Sequence, residues 1–397
     1  MLSQTAIKTK DVEPSSEAAP ARGARLRRLT LTDFRSYERA EIAFDGRPVA
    51  IAGENGAGKT NLLEAVSLIG PGRGLRSARL DELPRIDGAG GWAVSARVDD
   101  GVDERRFGVG AQASKPDRRV CRIDDASASG PGAFAEHLRF LWLTPAMDRL
   151  FMEGAGERRK FLDRMTLAHN PSHGKTSSAY EKAMRQRQRL LDEGGRDAEW
   201  LGALEAQMAE AGVAIAAARR EMAEMLAASS VADDDAVFPA ADIALEGSLE
   251  TALASASTAE VEDQYLHELK SCRRRDMEAG RALSGPHRSD LLVSHREKDR
   301  AARLCSTGEQ KALLIGLVLA NARALSRRAE GAPLILLLDE IAAHLDPDRR
   351  AGLFAILHDL GFQAIMTGTD KSLFTAWGER AQHFEARGGA LHESTAS

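Results

Sequence analysis

The spacing of apolar and polar positions changes character twice along the 397-residue chain. From Arg27 to Leu31, Ala40 to Phe44 and Pro48 to Ala52, short apolar or alternating runs predict strands, the last ending in a glycine-rich turn. Residues 60–69 carry helical periodicity. Between about residues 91 and 143, the runs "GWAVSARV", "RRFGVG", "RRVCRID" and "FLWLT" alternate with Gly, Asp, Ser and Pro. They predict an antiparallel meander attached to the first unit.

From about residue 156 to 280 the chain turns to Ala, Glu, Arg, Gln and Met. Trp200, Leu204, Met208, Ala211 and Ile215 recur at steps of three and four, one stripe of a long helix. The segment "DEGGRDA" (192–198) breaks it from an earlier helix containing "AMRQRQRLL". This is the pattern of a helical arm, and equally of an ordinary helical subdomain. An α/β pattern then resumes: strand "DLLVSH", helix 308–325, strand "PLILLLDE", helix 347–359 and strand "QAIMTG". The helix at 312–325 is apolar nearly all round, so it must be buried. A core begun near residue 27 is thus completed after residue 285, with the helical region inserted between.

Composition adds limits. A 43% hydrophobic fraction supports a sizeable core, and a net charge of −5 excludes a chain that is polybasic throughout. Any nucleic-acid surface is a local patch. Cys121, Cys272 and Cys305 fit no zinc spacing and suit structural thiols in a reducing compartment. No apolar run reaches the roughly 18–20 residues of a membrane span. Residues 1–24 lack the apolar core of a signal peptide and read as a disordered tail. A cytosolic protein is expected.

Residues 53–60, "GENGAGKT", match G-x-x-x-x-G-K-[ST] between a predicted strand and a predicted helix. Gly53, Gly56 and Gly58 let backbone N–H groups close around phosphate oxygens, and the helix from Thr60 aims its positive end at the anion. Lys59 reaches the β- and γ-phosphates, and the Thr60 hydroxyl is a ligand for Mg²⁺. The whole segment, with Glu54, Asn55, Ala57 and Asn61, is the expected ATP site. An acidic partner strand ends in Asp339 and Glu340 after "LILLL". Asp339 would hold Mg²⁺ through water, and Glu340 would orient or deprotonate the attacking water. Asp346, just before a Pro-started helix, has the place of an N-cap.

A second anion-binding helix tip follows from "CSTGEQKALL" (305–314), where Ser306, Gly308 and Glu309 open the buried helix. A P-loop saturates the phosphates on its own side. The second tip therefore suits the nucleotide of a second copy of the chain, acting in trans.

Together these residues resemble ABC-type ATPases: a Walker A loop, a Ser-x-Gly-Glu signature, and an acidic pair followed by a Leu-Asp loop. In detail the chain resembles the RecF family of recombination mediators. "LTDFRSYE" (31–38), "LTPAMDRLFMEGAGERRKFLD" (143–163), "LSGPHRSDL" (283–291) and "LLLDEIAAHLDPDRR" (336–350) are similar to its landmarks, in its order, over nearly the whole chain. Gly156 stands where that family commonly has proline, Ala146 where it has an acidic residue, and Gln188 where it has asparagine. No glutamine for the Mg²⁺-contacting loop and no switch histidine stand out; Thr367 and Thr369 occupy the latter region. Slow hydrolysis, with ATP as a switch, fits those differences.

The resemblance implies an α/β fold: an ABC-type ATPase head, its P-loop sheet joined by an antiparallel β subdomain, with an inserted α-helical arm. The boundaries expected are a tail at 1–24, the head's first part at 25–155, the arm at 156–280 and the head's second part at 281–397. It implies an ATP-dependent homodimer that binds DNA at single-strand gaps and helps place the RecA recombinase, with RecO and RecR as partners. By the same resemblance Arg35 contacts the nucleotide, although a surface arginine on an early turn is the plainer reading. Arg73, Arg76 and Arg79 are candidates to neutralise DNA phosphates, or form a solvated turn. Arg158, Arg159 and Arg273 to Arg275 are weaker candidates of the same kind. A transporter's ATPase subunit would keep its signature close to the P-loop, without an arm-like insertion between. An SMC-type structural ATPase would need a longer coiled coil than the roughly 50–90 Å that this insertion can span.

Overall fold

The computed structural model describes residues 24–99, 103–195, 197–230, 237–327 and 334–395. The tail expected at 1–24 lies outside the described residues except for Ala24. The chain begins with a hairpin of β1 (Arg25–Phe34) and β2 (Tyr37–Ala43), followed by β3 (Val49–Ala52) and α1 (Lys59–Leu68). Next come β4 (Trp92–Asp99), β5 (Glu104–Gln112), β6 (Lys115–Ile123), β7 (Ala126–Ser127) and β8 (Arg139–Leu143). Strands β1, β2 and β4 to β7 form one antiparallel sheet in the order β2-β1-β4-β5-β6-β7. Alternation decides its faces: Leu29, Leu31, Val94, Val98 and Phe107 point inward, with polar residues between them on the other side.

The helical region comprises α2 (Ala155–His169), α3 (His173–Asp192) and α4 (Ala198–Ser229), then β9 (Ala241–Glu246). Three shorter helices follow, α5 (Ser248–Ala252), α6 (Thr258–Ser271) and α7 (Arg273–Ala279). Their own core holds Tyr180, Leu204, Met208, Ile215, Val261 and Tyr265. Helix α2 and the end of α4 instead share the core of the nucleotide sheet through Phe161, Met165, Met222 and Leu226. Trp200, expected on the buried stripe, is 51% exposed; Leu201 is buried in the first turn instead.

The last part runs β10 (Asp290–His295), β11 (Arg300–Ala301), α8 (Thr307–Ser326), β12 (Leu334–Leu338) and α9 (Pro347–Leu360). It ends with β13 (Gln363–Gly368), β14 (Gln382–Arg387) and β15 (Ala390–Ser394). The central sheet has the order β15-β14-β3-β13-β12-β8, parallel apart from the β14–β15 hairpin. One face, through Ile51, Ile335, Leu337 and Ile365, packs on α1 and the antiparallel sheet. The other, through Leu334, Leu336, Leu338 and Met366, packs on α2, α8 and α9. Helix α8 is covered almost all round, as its sequence requires.

Two local expectations are corrected and a third strand is placed. "FLWLT" is not meander: it supplies β8, parallel to β12 on the edge of the central sheet, and Phe140 to Leu143 are buried in succession. Such a run suits a strand covered on both faces. "DLLVSH" forms the expected strand, β10, which pairs antiparallel with β9 and β11 in a small separate sheet. The region read as wholly helical contains β9, whose alternating ADIALE pattern is masked by flanking helix formers. No described helix is long and apolar enough to cross a membrane.

Candidate nucleotide-binding and hydrolysis site

Strand β3 is buried along its whole length and delivers the chain to the glycine loop at the end of the central sheet. Gly56 and Gly58 have φ of 85° and 98°, so the loop curls as an L side chain resists doing. At Gly58 the neighbours also forbid a side chain: an added Cβ would stand 2.9 Å from Tyr37 Oη and 3.0 Å from Ser36 Oγ. The Tyr37 hydroxyl donates to the Gly58 carbonyl at 3.0 Å, and burial pushes its pKa up to about 12. Lys59, only 3% exposed, donates to the carbonyls of Gly53 (2.7 Å) and Glu54 (2.9 Å). Its ammonium thus lies across the loop that it is expected to serve.

The structure brings the acidic strand to the same place. Asp339 follows β12 and is buried; its Oδ1 accepts from the Thr60 hydroxyl at 3.1 Å and from the Thr367 hydroxyl at 2.7 Å. Glu340 Oε1 lies 4.0 Å from Lys59 Nζ. Glu340 has φ 54°, unusual for a residue with a side chain, and its N–H donates to Thr367 Oγ1 at 3.0 Å. Asp346 caps α9 through a 2.8 Å bond from the Arg349 N–H.

A cleft of about 1080 Å³ opens over the loop. Gly53, Glu54, Asn55, Gly56 and Ala57 form one wall, with Ser36 beside them. The opposite wall comes from Thr369, in the region where the sequence lacks a switch histidine, and from residues with no local signal in the sequence: Asp370 and Lys371 after β13, and Glu385 to Gly389 on the C-terminal hairpin. Glu385 is held well below its ordinary pKa, chiefly by Lys371 at 2.8 Å. Strand β14 lies directly beside β3, which explains how residues so distant in sequence share the cleft. Only the pairing of these strands reveals it.

Asn61 donates to Ser36 Oγ at 2.9 Å and accepts from Arg76 at 2.8 Å. Arg35, at φ 53°, makes a two-pronged pair with buried Glu64, both bonds 2.9 Å, and donates to the Glu82 carbonyl. Of the three arginines after α1, Arg76 pairs with Glu64 and Arg79 with Asp81, whereas Arg73 is exposed and makes no ion pair among the described residues. Arg158 pairs with Asp290, Arg159 donates to the Ser289 carbonyl and Arg273 pairs with Glu205.

Ser306 caps α8 in a reciprocal box: its N–H and hydroxyl donate to Glu309 Oε2 at 2.7 and 2.9 Å. The Glu309 carboxylate also takes the Lys298 ammonium from the β10–β11 turn. That bond first, then the Ser306 N–H and hydroxyl, bring its pKa down to about 2. Gly308 faces open space. Ser306 and Gly308 do not line the cleft over the glycine loop.

The family described as the RecF/RecN/SMC N terminal domain matches residues 25–389. The DNA replication and repair protein RecF of Rhizobium etli (strain CIAT 652) is 49% identical over 368 residues, 92% of this chain and 98% of that protein. The same-named protein of Mesorhizobium japonicum (strain LMG 29417 / CECT 9101 / MAFF 303099) is 54% identical over 360 residues, 89% and 94% of the two chains. Among solved structures, the recombination mediator protein RecF-ATPrS of the RecFOR pathway superposes with a TM-score of 0.80 at 22% identity, over 95% of this chain and all of that one. The Smc head domain of Pyrococcus furiosus bound to the C-terminal domain of ScpA gives 0.52 at 16% identity, over 94% and 96%. Those two likenesses are of fold. With about half its residues shared with full-length relatives, the chain belongs to the RecF family of DNA replication and repair proteins within the SMC-type ATPases.

Proposed function

We propose that the protein is an ATP-dependent, DNA-binding recombination mediator whose active site is completed by a second copy. The observation that carries this reading is the placement of the chain's two anion-suited loops. Gly53 to Ala57 line one cleft, and Lys59 and Thr60, next along the same loop, meet Glu340 and Asp339, while the Ser306–Gly308–Glu309 tip does not line that cleft and its glycine is open. In this reading Ser306 and Gly308 contact the γ-phosphate held by the partner's P-loop, and head-to-head dimerisation follows ATP binding.

Thr60 and Asp339 supply hard oxygen donors side by side at the tip of α1, a donor set that fits Mg²⁺. When bound there, Mg²⁺ would offset phosphate charge. Lys59 contacts the phosphates, and Glu340 acts as the base toward water, which requires it ionised. Arg35 serves the nucleotide from beside α1, its guanidinium aimed by Glu64. Hydrolysis is weak and resets the dimer rather than driving turnover.

DNA binds without sequence preference, as duplex and at gaps, and of Arg73, Arg76 and Arg79 the first is least neutralised by the protein itself. The boundaries at residues 24, 155 and 280 separate tail, first half-head, arm and second half-head. RecR, RecO and RecA loading enter through family membership, as does a cytoplasmic location. The test is fluorescence anisotropy of gapped and duplex DNA, with and without ATP and Mg²⁺. DNA retention that rises at least about tenfold with ATP, a coupling of ~1.4 kcal/mol, is expected. Retention indifferent to nucleotide contradicts the switch.

A further inference from the structure

Thr367 is the penultimate residue of the buried strand β13, beside the acidic strand, and its side chain is fully buried. Its hydroxyl donates to Asp339 Oδ1 at 2.7 Å and accepts from the Glu340 N–H at 3.0 Å. One group therefore engages both members of the acidic pair. The two carboxylates depend on it unequally. Asp339 is also fixed by its own N–H, bound to the Leu143 carbonyl at 2.9 Å, and by Thr60. Glu340 sits at φ 54°, a conformation that a residue with a Cβ keeps only when its surroundings impose it. Its N–H bond to Thr367 is what the surroundings provide.

We propose that Thr367 is a positioning residue for hydrolysis: by holding the Glu340 N–H it sets the left-handed turn that points the Glu340 carboxylate toward Lys59. This rests on the reading of Glu340 as the base. It assigns a task to the strand end where the sequence has no switch histidine. Valine at this position keeps the shape and the β-branched strand preference but loses both hydrogen bonds. Serine keeps the hydroxyl and loses only a methyl.

The experiment compares wild type, Thr367→Val, Thr367→Ser, Glu340→Gln and the double variant Glu340→Gln/Thr367→Val, each measured for ATP affinity and for kcat. Expected for Thr367→Val is a kcat lower by about 10- to 100-fold, within the roughly 10²–10⁴ that a positioned base supplies. ATP affinity should stay within about threefold, because Lys59 and the glycine loop are untouched. Thr367→Ser should restore most of the rate. The double variant should be no slower than Glu340→Gln alone, since both act through one carboxylate. Thr367→Val with normal kcat while Glu340→Gln is inactive overturns the proposal and leaves the base assignment standing. Normal kcat in Glu340→Gln overturns the base assignment itself. Additive losses in the double variant also overturn the proposal, by showing that Thr367 acts apart from Glu340. If Thr367→Val does not fold, Thr367→Ala is read by the same criteria.

Discussion

Gly58 is where the nucleotide site leaves the least freedom. Its φ of 98° is unfavourable for any L side chain, and a Cβ would press on Tyr37, itself buried and bonded to the Gly58 carbonyl. Substitution by alanine costs on the order of 1–3 kcal/mol of strain, most of it felt where N–H groups must meet phosphate. Gly58→Ala is therefore expected to weaken ATP affinity by at least about tenfold by isothermal titration, and to lower the unfolding free energy of the free protein by about 1–3 kcal/mol. This part of the site was legible because a P-loop is local: residues 53–60 are consecutive and their spacing is dictated by the phosphate. Arg35 was legible only as a resemblance, and its partner Glu64 was not, because nothing in a one-dimensional pattern ties a turn to a carboxylate on a neighbouring helix. The far wall of the cleft, Lys371 and Glu385 to Gly389, was invisible for the same reason.

At the scale of elements, patterning succeeded where one period dominated. Helix α8, apolar all round, and β12, apolar throughout, declared their burial. It failed where a short run had two readings, as at "FLWLT", or where a strand sat among helix formers, as at β9. The arm also conceals a charged centre that periodicity cannot show. Arg187, 1% exposed, pairs with Glu205 at 3.0 Å and Asp276 at 2.6 Å and donates to the Leu269 carbonyl. It joins α3, α4, α6 and α7 through one guanidinium. Breaking such a group leaves buried carboxylates undercompensated, at a cost of about 3–5 kcal/mol. Arg187→Met should accordingly unfold at clearly lower urea concentration, followed by circular dichroism; an unchanged midpoint would remove the network from the arm's stability. A second buried tie, Lys311 to Asp148 at 3.0 Å, fixes α8 against the segment that follows β8. The signature tip is thereby positioned relative to the central sheet.

At the scale of the whole molecule, the packing of α2 against α4, which bring the helical region onto the central sheet, is electrostatic as well as apolar. Asp163 on α2 accepts from Arg219 on α4 at 2.7 and 2.8 Å and lies 2.9 Å from His173 Nε2. Burial alone would raise the carboxyl's pKa; the His173 and Arg219 hydrogen bonds outweigh it and bring it down to about 2. A folded-state value below the ordinary 3.8 means that the stabilisation is fully present above about pH 4 and is lost as pH falls toward 2. Wild type should therefore lose about 2 kcal/mol more than Asp163→Asn over that interval in denaturation series. Equal losses would show that the joint does not depend on this charge. That β3 and β12 share one sheet, with the helical region between them in sequence, was foreseeable from the order of motifs, because a P-loop and its acidic strand must share a sheet. The proposed division of the active site between two copies rests on chemistry rather than contact: Ser306 caps α8, and neither it nor Gly308 lines the cleft over the glycine loop. The most direct test is sedimentation equilibrium of wild type and Ser306→Arg, with and without ATP and Mg²⁺, alongside ATP-binding titration of both. The account predicts a wild-type monomer that becomes a dimer with ATP, and a variant that binds ATP normally yet stays monomeric. A Ser306→Arg protein that dimerises with ATP as wild type does would contradict it.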